Sequence, residues 1–390
     1  MTSLETKNPY ISFIPSDNSQ RIYLVFSSVD IEKGKFMFWK ILNRMDGHKI
    51  FINDESNGWY VHGIPGFGKD VMHTCHELMK KIDEVGAEEI ILLGPSMGAY
   101  GAMLYGSILK NKMPNKKFRC LSFGGEFLLY ARETQSKSLS RKPKNLWYAD
   151  LRSLLITSEL DITHVYGDDN VNDVFQANLV KGMPNIKLIS IKNAPHAIST
   201  YLGQNYDLTV LIKEYEQSGD FKPEGVSLVS EISNHGIHLY NGHLAMLDGK
   251  VSDALTHLKK ATELCPSHAL SRHKYGAALL MSKQYDEALC EQIEAIKLNP
   301  QLAHAYYHAG ILNSLKNENL IAIDYLKECI NLDPKHIRAI TQIMLIHEKL
   351  KNKELVIKYA EYALALDKKN EIALKTMASV NKNSSQSHTD

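Results

Sequence analysis

A period of 34 residues in the second half of the chain limits its fold more than any other feature. Pro266, Pro300 and Pro334 follow one another at that interval, and a fourth step of 34 lands on Lys368 inside a related turn, LDKKN. Gly242, Gly276 and Gly310 keep the same spacing, as do Ala254, Ala288 and Ala322, and Ala261, Ala295, Cys329 and Ala363. Each recurrence has a packing reason. A small residue where two antiparallel helices cross lets their backbones approach, and a proline cannot continue a helix, so it closes one unit and opens the next. The period predicts four helix pairs, at 235–268, 269–302, 303–336 and 337–370, with a closing helix at 371–380 and a disordered tail at 381–390. The fourth unit carries Met344 in place of the glycine and Val356 in place of the alanine, a drift that suits a terminal repeat.

On these residues the segment resembles the tetratricopeptide-repeat family. The resemblance implies an all-α solenoid whose first helices line a groove for a protein or peptide partner. Arg272, His273, His304, Tyr307 and His308 are its candidate lining residues, a basic and aromatic mixture suited to an acidic or extended peptide. The competing reading is that some of them serve packing between repeats.

Upstream of the repeats, short apolar runs rich in β-branched and aromatic residues alternate with helix-length amphipathic stretches. That alternation predicts an α/β domain with a mostly parallel sheet and crossover helices. The expected strands are 22–27 (IYLVFS), 48–54 (HKIFIND), 88–94 (EEIILLG), 118–124 (FRCLSFG), 162–167 (ITHVYG) and 186–191 (IKLISI). Helices are expected at 36–44, 68–85, 97–110, 174–179 and 198–216. The domain then spans 18–216, preceded by an N-terminal extension (1–17) and followed by a linker and lead-in helix (217–234). A chain cut near Gly219 is expected to fold alone.

A length of 390 residues exceeds what one core usually serves, which agrees with two domains. The 45 Lys+Arg against 44 Asp+Glu leave a formal net charge of +1, which offers no global field to recruit nucleic acid. The five cysteines, Cys75, Cys120, Cys265, Cys290 and Cys329, have no metal-knuckle spacing and read as buried thiols in a reducing compartment. No secretory leader pattern opens the chain and no run is apolar enough for a membrane span, so a cytoplasmic protein is expected. There is no Gly-rich phosphate loop, zinc spacing or dinucleotide fingerprint, so neither cofactor nor metal is expected.

Gly94-Pro95-Ser96-Met97-Gly98 directly follows one expected strand and directly precedes an expected helix. A tight strand-to-helix turn of this kind holds a serine in a strained conformation as a nucleophile, and flanking glycines give the neighbouring backbone room. The Met97 N–H then points to where an oxyanion would form. A serine hydroxyl needs a base. His196 follows the last expected strand through a short loop and precedes the final helix, the place for that base. The acid belongs after the strand at 162–167, where Asp168, Asp169 and Asp173 compete. The second oxyanion donor belongs after the strand at 22–27, on the backbone of Ser28 or Ser27. Trp59 and Tyr60 could stack on a sugar or acyl group, or pack as core against the helix after Ser96. The basic run at 132–144 could attract an anion or be a solvated loop.

The order Ser, acid, His resembles the α/β-hydrolase family over about 18–216. The commonest position for the family's acid is held here by Asn170. The segment also resembles bacterial hydrolase-like proteins whose loops read G-x-x-N-x-x-D, and on that resemblance Asp173 is favoured, with Asp169 and Asp168 behind it. What the family implies is a serine esterase or acyl hydrolase acting on an acyl ester or acylated glycan through an acyl-serine. Acyl transfer to a glycan hydroxyl and a catalytically silent adaptor are the alternatives.

Overall fold

The computed structural model describes residues 8–54, 56–138, 148–229 and 232–386. Part of the basic run (139–144) and the last residues of the expected tail (387–390) lie outside the described residues. The chain divides into two compact units, Met1–Tyr240 and Asn241–Asp390.

Among the described residues, seven strands of the first unit form one sheet. In chain order they are β1 (Ile11–Ile14), β2 (Arg21–Phe26), β3 (His48–Ile52), β4 (Glu89–Pro95), β5 (Lys117–Phe123), β6 (Asp161–Gly167) and β7 (Ile186–Ile191). Their order across the sheet is β1-β3-β2-β4-β5-β6-β7. All neighbours are parallel except β1, which runs antiparallel to β3 with Ile11 opposite Ile52. Thus 1–17 is not merely an extension, because part of it forms the edge strand. Sequence reading passed over β1 because it is four half-exposed residues with no clean alternation.

The strands are apolar on both faces because helices cover both. Ile22, Leu24 and Phe26 of β2 point into one core, and Tyr23 and Val25 into the other. The short α1 (Trp39–Leu42) follows β2, and α2 (Val71–Glu84) precedes β4. Then come α3 (Met97–Lys112), α4 (Arg152–Ser158), α5 (Val171–Val180), α6 (Ile198–Asn205) and α7 (Leu208–Ser218). Two helices thus stand where one was expected at 198–216, and α4 had no counterpart in the sequence reading.

The segment expected to be a linker is built into the first unit. Phe221 is buried edge-on against Phe123, with ring centroids 5.7 Å apart. Residues 227–229 run alongside β7 through Lys192 N–H to Ser227 O (2.8 Å) and Val229 N–H to Ser190 O (2.9 Å), so Leu228 is extended where a lead-in helix was expected. Asn178 accepts from Gly236 N–H at 2.8 Å, and Tyr240 stacks on Phe175 at 3.8 Å. A chain cut near Gly219 would lack all of these contacts.

The remaining helices are paired at the expected period. They are α8 (His235–Leu247) with α9 (Val251–Leu264), α10 (Ala269–Met281) with α11 (Tyr285–Leu298), α12 (Ala303–Leu315) with α13 (Asn319–Leu332), and α14 (Ile337–Lys349) with α15 (Lys353–Leu366). The boundary between the compact units falls inside α8, after Tyr240, and not at the linker. The closing α16 (Glu371–Gln386) continues past residue 380 into the expected tail. The recurring small residues Ala254, Ala288, Ala322, Ala261, Ala295, Cys329 and Ala363 have no exposed surface. The turns within the pairs repeat as well. Gly249, Lys283, Asn317 and Lys351 all have φ between 59 and 69°, in the left-handed region.

Candidate active site

The parallel strands β2 to β7 all point their C-terminal ends to one edge of the sheet, the edge where open α/β sheets place their ligands. Ser96 leaves β4 there and is the N-cap of α3, with φ 52° and ψ −118°. The flanking glycines are explained by space. A Cβ on Gly98 would lie 2.2 Å from the carbonyl oxygen of Phe26, and one on Gly94 would lie 2.2 Å from the backbone of Gly98. Backbone passes so close to backbone that no side chain fits at either position.

His196 lies in the loop after β7, and its Nε2 is 3.3 Å from Ser96 Oγ. Its Nδ1 lies 2.8 and 3.0 Å from the two carboxylate oxygens of Asp173. The structure therefore brings Ser96, His196 and Asp173 into one chain of contacts. Asp173 sits in the first turn of α5 and is almost wholly buried. Burial raises its pKa, against the pull of its bond to His196. Burial also works against the imidazolium of His196, but the bond to Asp173 and the charges of Asp173 and Glu126 outweigh it, and the net shift is upward.

The two competing aspartates have other partners. Asp168 accepts from the N–H of Asn193, which ties the loop after β6 to the loop that carries His196. Asp169 donates its backbone N–H to Ala194 O at 3.1 Å in the same tie. Asn170 caps α5, its side-chain oxygen accepting from Asn172 N–H (2.9 Å) and Asp173 N–H (3.1 Å). A cap there sets the start of the helix, and the carboxylate three residues later is turned to the histidine.

Of the two serines after β2, Ser27 cannot present its N–H to a substrate, because it donates to Ile52 O at 2.9 Å. The Ser28 hydroxyl donates to Val29 O at 3.2 Å, and Met97 is the first residue of α3. Trp59 and Tyr60 are buried core residues. Trp59 packs edge-on against Tyr100 of α3, and the Tyr60 hydroxyl donates to Ser27 O at 2.7 Å. They support the wall behind Ser96 and offer no face to a sugar.

Two residues that sequence reading missed complete the surroundings. Gln135, in a short 3-10 turn (Gln135–Ser138), places its side-chain oxygen 3.4 Å from Ser96 Oγ. Glu126, buried beyond the end of β5, accepts from the N–H of Ser136 at 3.1 Å. No motif marks either one; the contacts exist only because the loop after β5 folds back over the sheet edge.

Among the described residues no cluster of three or more His, Cys, Asp or Glu could hold a metal, and no helix is long and apolar enough to cross a membrane. Three of the cysteines are buried, but Cys265 is half-buried and Cys290 exposed, so the reading of all five as buried thiols does not hold.

In the second unit, the expected groove residues divide. Arg272 is paired with Glu291 at 3.0 Å, and His273 is buried with Nδ1 2.9 Å from Gln292 Oε1, so both serve packing between helices. His304, Tyr307 and His308 line a cavity of about 290 Å³ together with His336, Ile337 and Arg338.

The chain matches no known protein family profile. It is similar to several solved structures, each over less than half of its length. A MamA protein is 19% identical over 39% of this chain and 82% of that one, with a TM-score of 0.36. The Arabidopsis OM64 TPR domain is 22% identical over 30% and 95%, with a TM-score of 0.29. The first TPR of Spaghetti (RPAP3), bound to an HSP90 peptide, is 18% identical over 30% and 93%, with a TM-score of 0.29.

Proposed function

We propose that the first unit is an α/β-hydrolase-like serine hydrolase acting on acyl esters. The observation that carries the reading is the continuous chain Ser96 Oγ, His196 Nε2, His196 Nδ1, Asp173, with the serine held in a left-handed, strained turn. In this reading Ser96 Oγ attacks the ester carbonyl carbon and its proton passes to His196 Nε2. Asp173 accepts from Nδ1–H and stabilises the imidazolium. The N–H groups of Met97 and Ser28 hold the developing oxyanion. His196 then gives the proton to the departing alcohol as the C–O bond breaks. Water, deprotonated by His196, attacks the acyl-serine and releases the acid. An alcohol in place of that water would make the same chemistry an acyl transfer, for example to a glycan hydroxyl. Hydrolysis of p-nitrophenyl acetate by the full chain, and its loss in Ser96→Ala, tests the reading. Equal turnover by both proteins would remove Ser96 from the nucleophile's role.

A second reading concerns the repeat array, for which a protein or peptide partner is proposed. It rests on the cavity at His304, Tyr307, His308, His336 and Arg338, where His308 Nδ1 is buried without a hydrogen-bond partner among the described residues. Burial, reinforced by neighbouring cations, lowers His308 to about 4, so the pocket offers neutral imidazole beside the Arg338 charge and favours an acidic group. Were Ser96 inert to every acyl donor, this binding role alone would remain, and the chain would be an adaptor.

A further inference from the structure

Gln135 stands at the mouth of the Ser96 site, outside the triad, with its side-chain oxygen 3.4 Å from Ser96 Oγ while His196 Nε2 lies 3.3 Å from the same atom. One hydroxyl proton cannot serve both acceptors. Turning the carboxamide end for end resolves the conflict, since its oxygen and nitrogen occupy equivalent places. The amide N–H then donates to Oγ, and the serine proton is left for His196. A neutral donor is thereby aimed at the atom on which the tetrahedral intermediate forms.

The turn that carries Gln135 is held from beneath. Glu126 accepts from the backbone N–H of Ser136 through one oxygen and from the Ser136 hydroxyl through the other. The same hydroxyl accepts from Tyr130 N–H at 2.8 Å, which closes the loop on itself. On the outer side, Asn172 of α5 donates to Glu133 O and the Tyr240 hydroxyl donates to Arg132 O. A carboxylate buried at this depth is costly to keep charged, and burial raises Glu126 to about 7 despite the bonds from Ser136. Such a group is an expensive way to fix a surface turn unless the position of the turn matters.

We propose that Gln135 is a further catalytic residue of this site, donating a hydrogen bond from its carboxamide to the tetrahedral intermediate on Ser96, and that Glu126 is the positioning residue that holds it there. The inference rests on the serine-hydrolase reading and deepens it.

The test is steady-state hydrolysis of p-nitrophenyl acetate by the full chain, with the rate of labelling of Ser96 by a fluorophosphonate measured alongside. Gln135→Ala is expected to lower kcat about tenfold with little change in KM, the worth of one neutral hydrogen bond made in the transition state. Gln135→Glu, which loses the donor and adds a negative charge beside Ser96, should lower kcat at least as far. Glu126→Gln should lower kcat about tenfold in the wild-type background and add nothing to Gln135→Ala, because two residues acting through one contact are not additive. If Glu126→Gln does not fold, Ser136→Ala, which removes the hydroxyl that Glu126 holds, is read in its place. Wild-type kcat in Gln135→Ala would overturn the catalytic role. Read on the pH plateau, above the acid limb that Glu126 helps to set through His196, a Glu126→Gln loss in kcat that multiplies with that of Gln135→Ala would overturn the positioning role. A wild-type chain that neither hydrolyses nor is labelled overturns the hydrolase reading and this inference together, whereas a labelled wild type with unaffected variants overturns this inference alone.

Discussion

Gly98 in the α/β unit and Gly310 in the repeat array are both glycine for want of space, yet the space is closed by different things. A Cβ at Gly98 would meet main chain, the Phe26 carbonyl group at 2.2 and 2.7 Å. At Gly310 it would meet a side chain first, Leu326 Cγ at 2.6 Å, and the same holds at Gly242 against Leu258 and at Gly276 against Gln292. A side chain can change rotamer and a paired strand cannot move, so the turn at Ser96 has one solution where the array has several. The array itself illustrates this. In its fourth unit Met344 replaces the glycine and is fully buried, with Val356 replacing the facing alanine. A repeated packing rule therefore tolerates drift, and the single backbone crossing at the Ser96 turn does not.

The largest expected effect tests what that crossing is for. Asp173→Asn keeps the shape of the acid and removes its charge, and should lower kcat about 10⁴-fold, as the equivalent change does in the serine-protease triad. Asp168→Asn, which touches the histidine loop and not the histidine, should cost far less; a larger loss there would transfer the acid's role. The pH profile adds a sign. His196 must be neutral to accept the serine proton, so kcat/KM falls as pH drops through its pKa, which Asp173 and Glu126 raise above the ordinary histidine value. Residual activity of Asp173→Asn should keep its acid limb at lower pH than the wild type.

Next in size is Gly98→Ala. With main chain in the way, the turn must open, and a loss of about 4 kcal/mol or more is expected in chemical denaturation, at the upper end for a single substitution. Gly310→Ala should cost only about 1–3 kcal/mol, the usual range for overpacking where neighbours can shift. Equal losses at the two positions would erase the distinction between them. The smallest effect concerns the turns within the helix pairs. Lys283 has φ 64°, at the position occupied by Gly249 one period earlier. Lys283→Gly should stabilise by up to about 1 kcal/mol, the relief of a left-handed side chain less the entropy that glycine adds to the unfolded chain.

The same comparison explains what was legible in the sequence. The array is written redundantly: a period seen in prolines, glycines and alanines at once fixes the helix pairs, and only the extension of α16 beyond residue 380 was missed. In the α/β unit the central strands and Ser96, His196 and Asp173 could be read, because a strand, a glycine-flanked turn and a helix are local signals. Asp173 needed the resemblance to a hydrolase-like loop pattern as well, since the choice depends on Asn170 acting as a cap. Contacts made by chain returning from a distance left no such trace. The edge strand β1, Phe221 against Phe123 and Gln135 over Ser96 each bring in a segment whose own composition reads as turn or linker.

The most direct test of the central claim is covalent. The full chain is treated with a fluorophosphonate at neutral pH and the modified peptide is mapped by mass spectrometry, beside Ser96→Ala and His196→Ala. An activated Ser96 predicts a single adduct on that residue in the wild type, none in Ser96→Ala, and a labelling rate at least about 10³-fold lower in His196→Ala, as expected when a serine loses its general base. An unmodified wild type, or an adduct that forms as fast without His196, would contradict it.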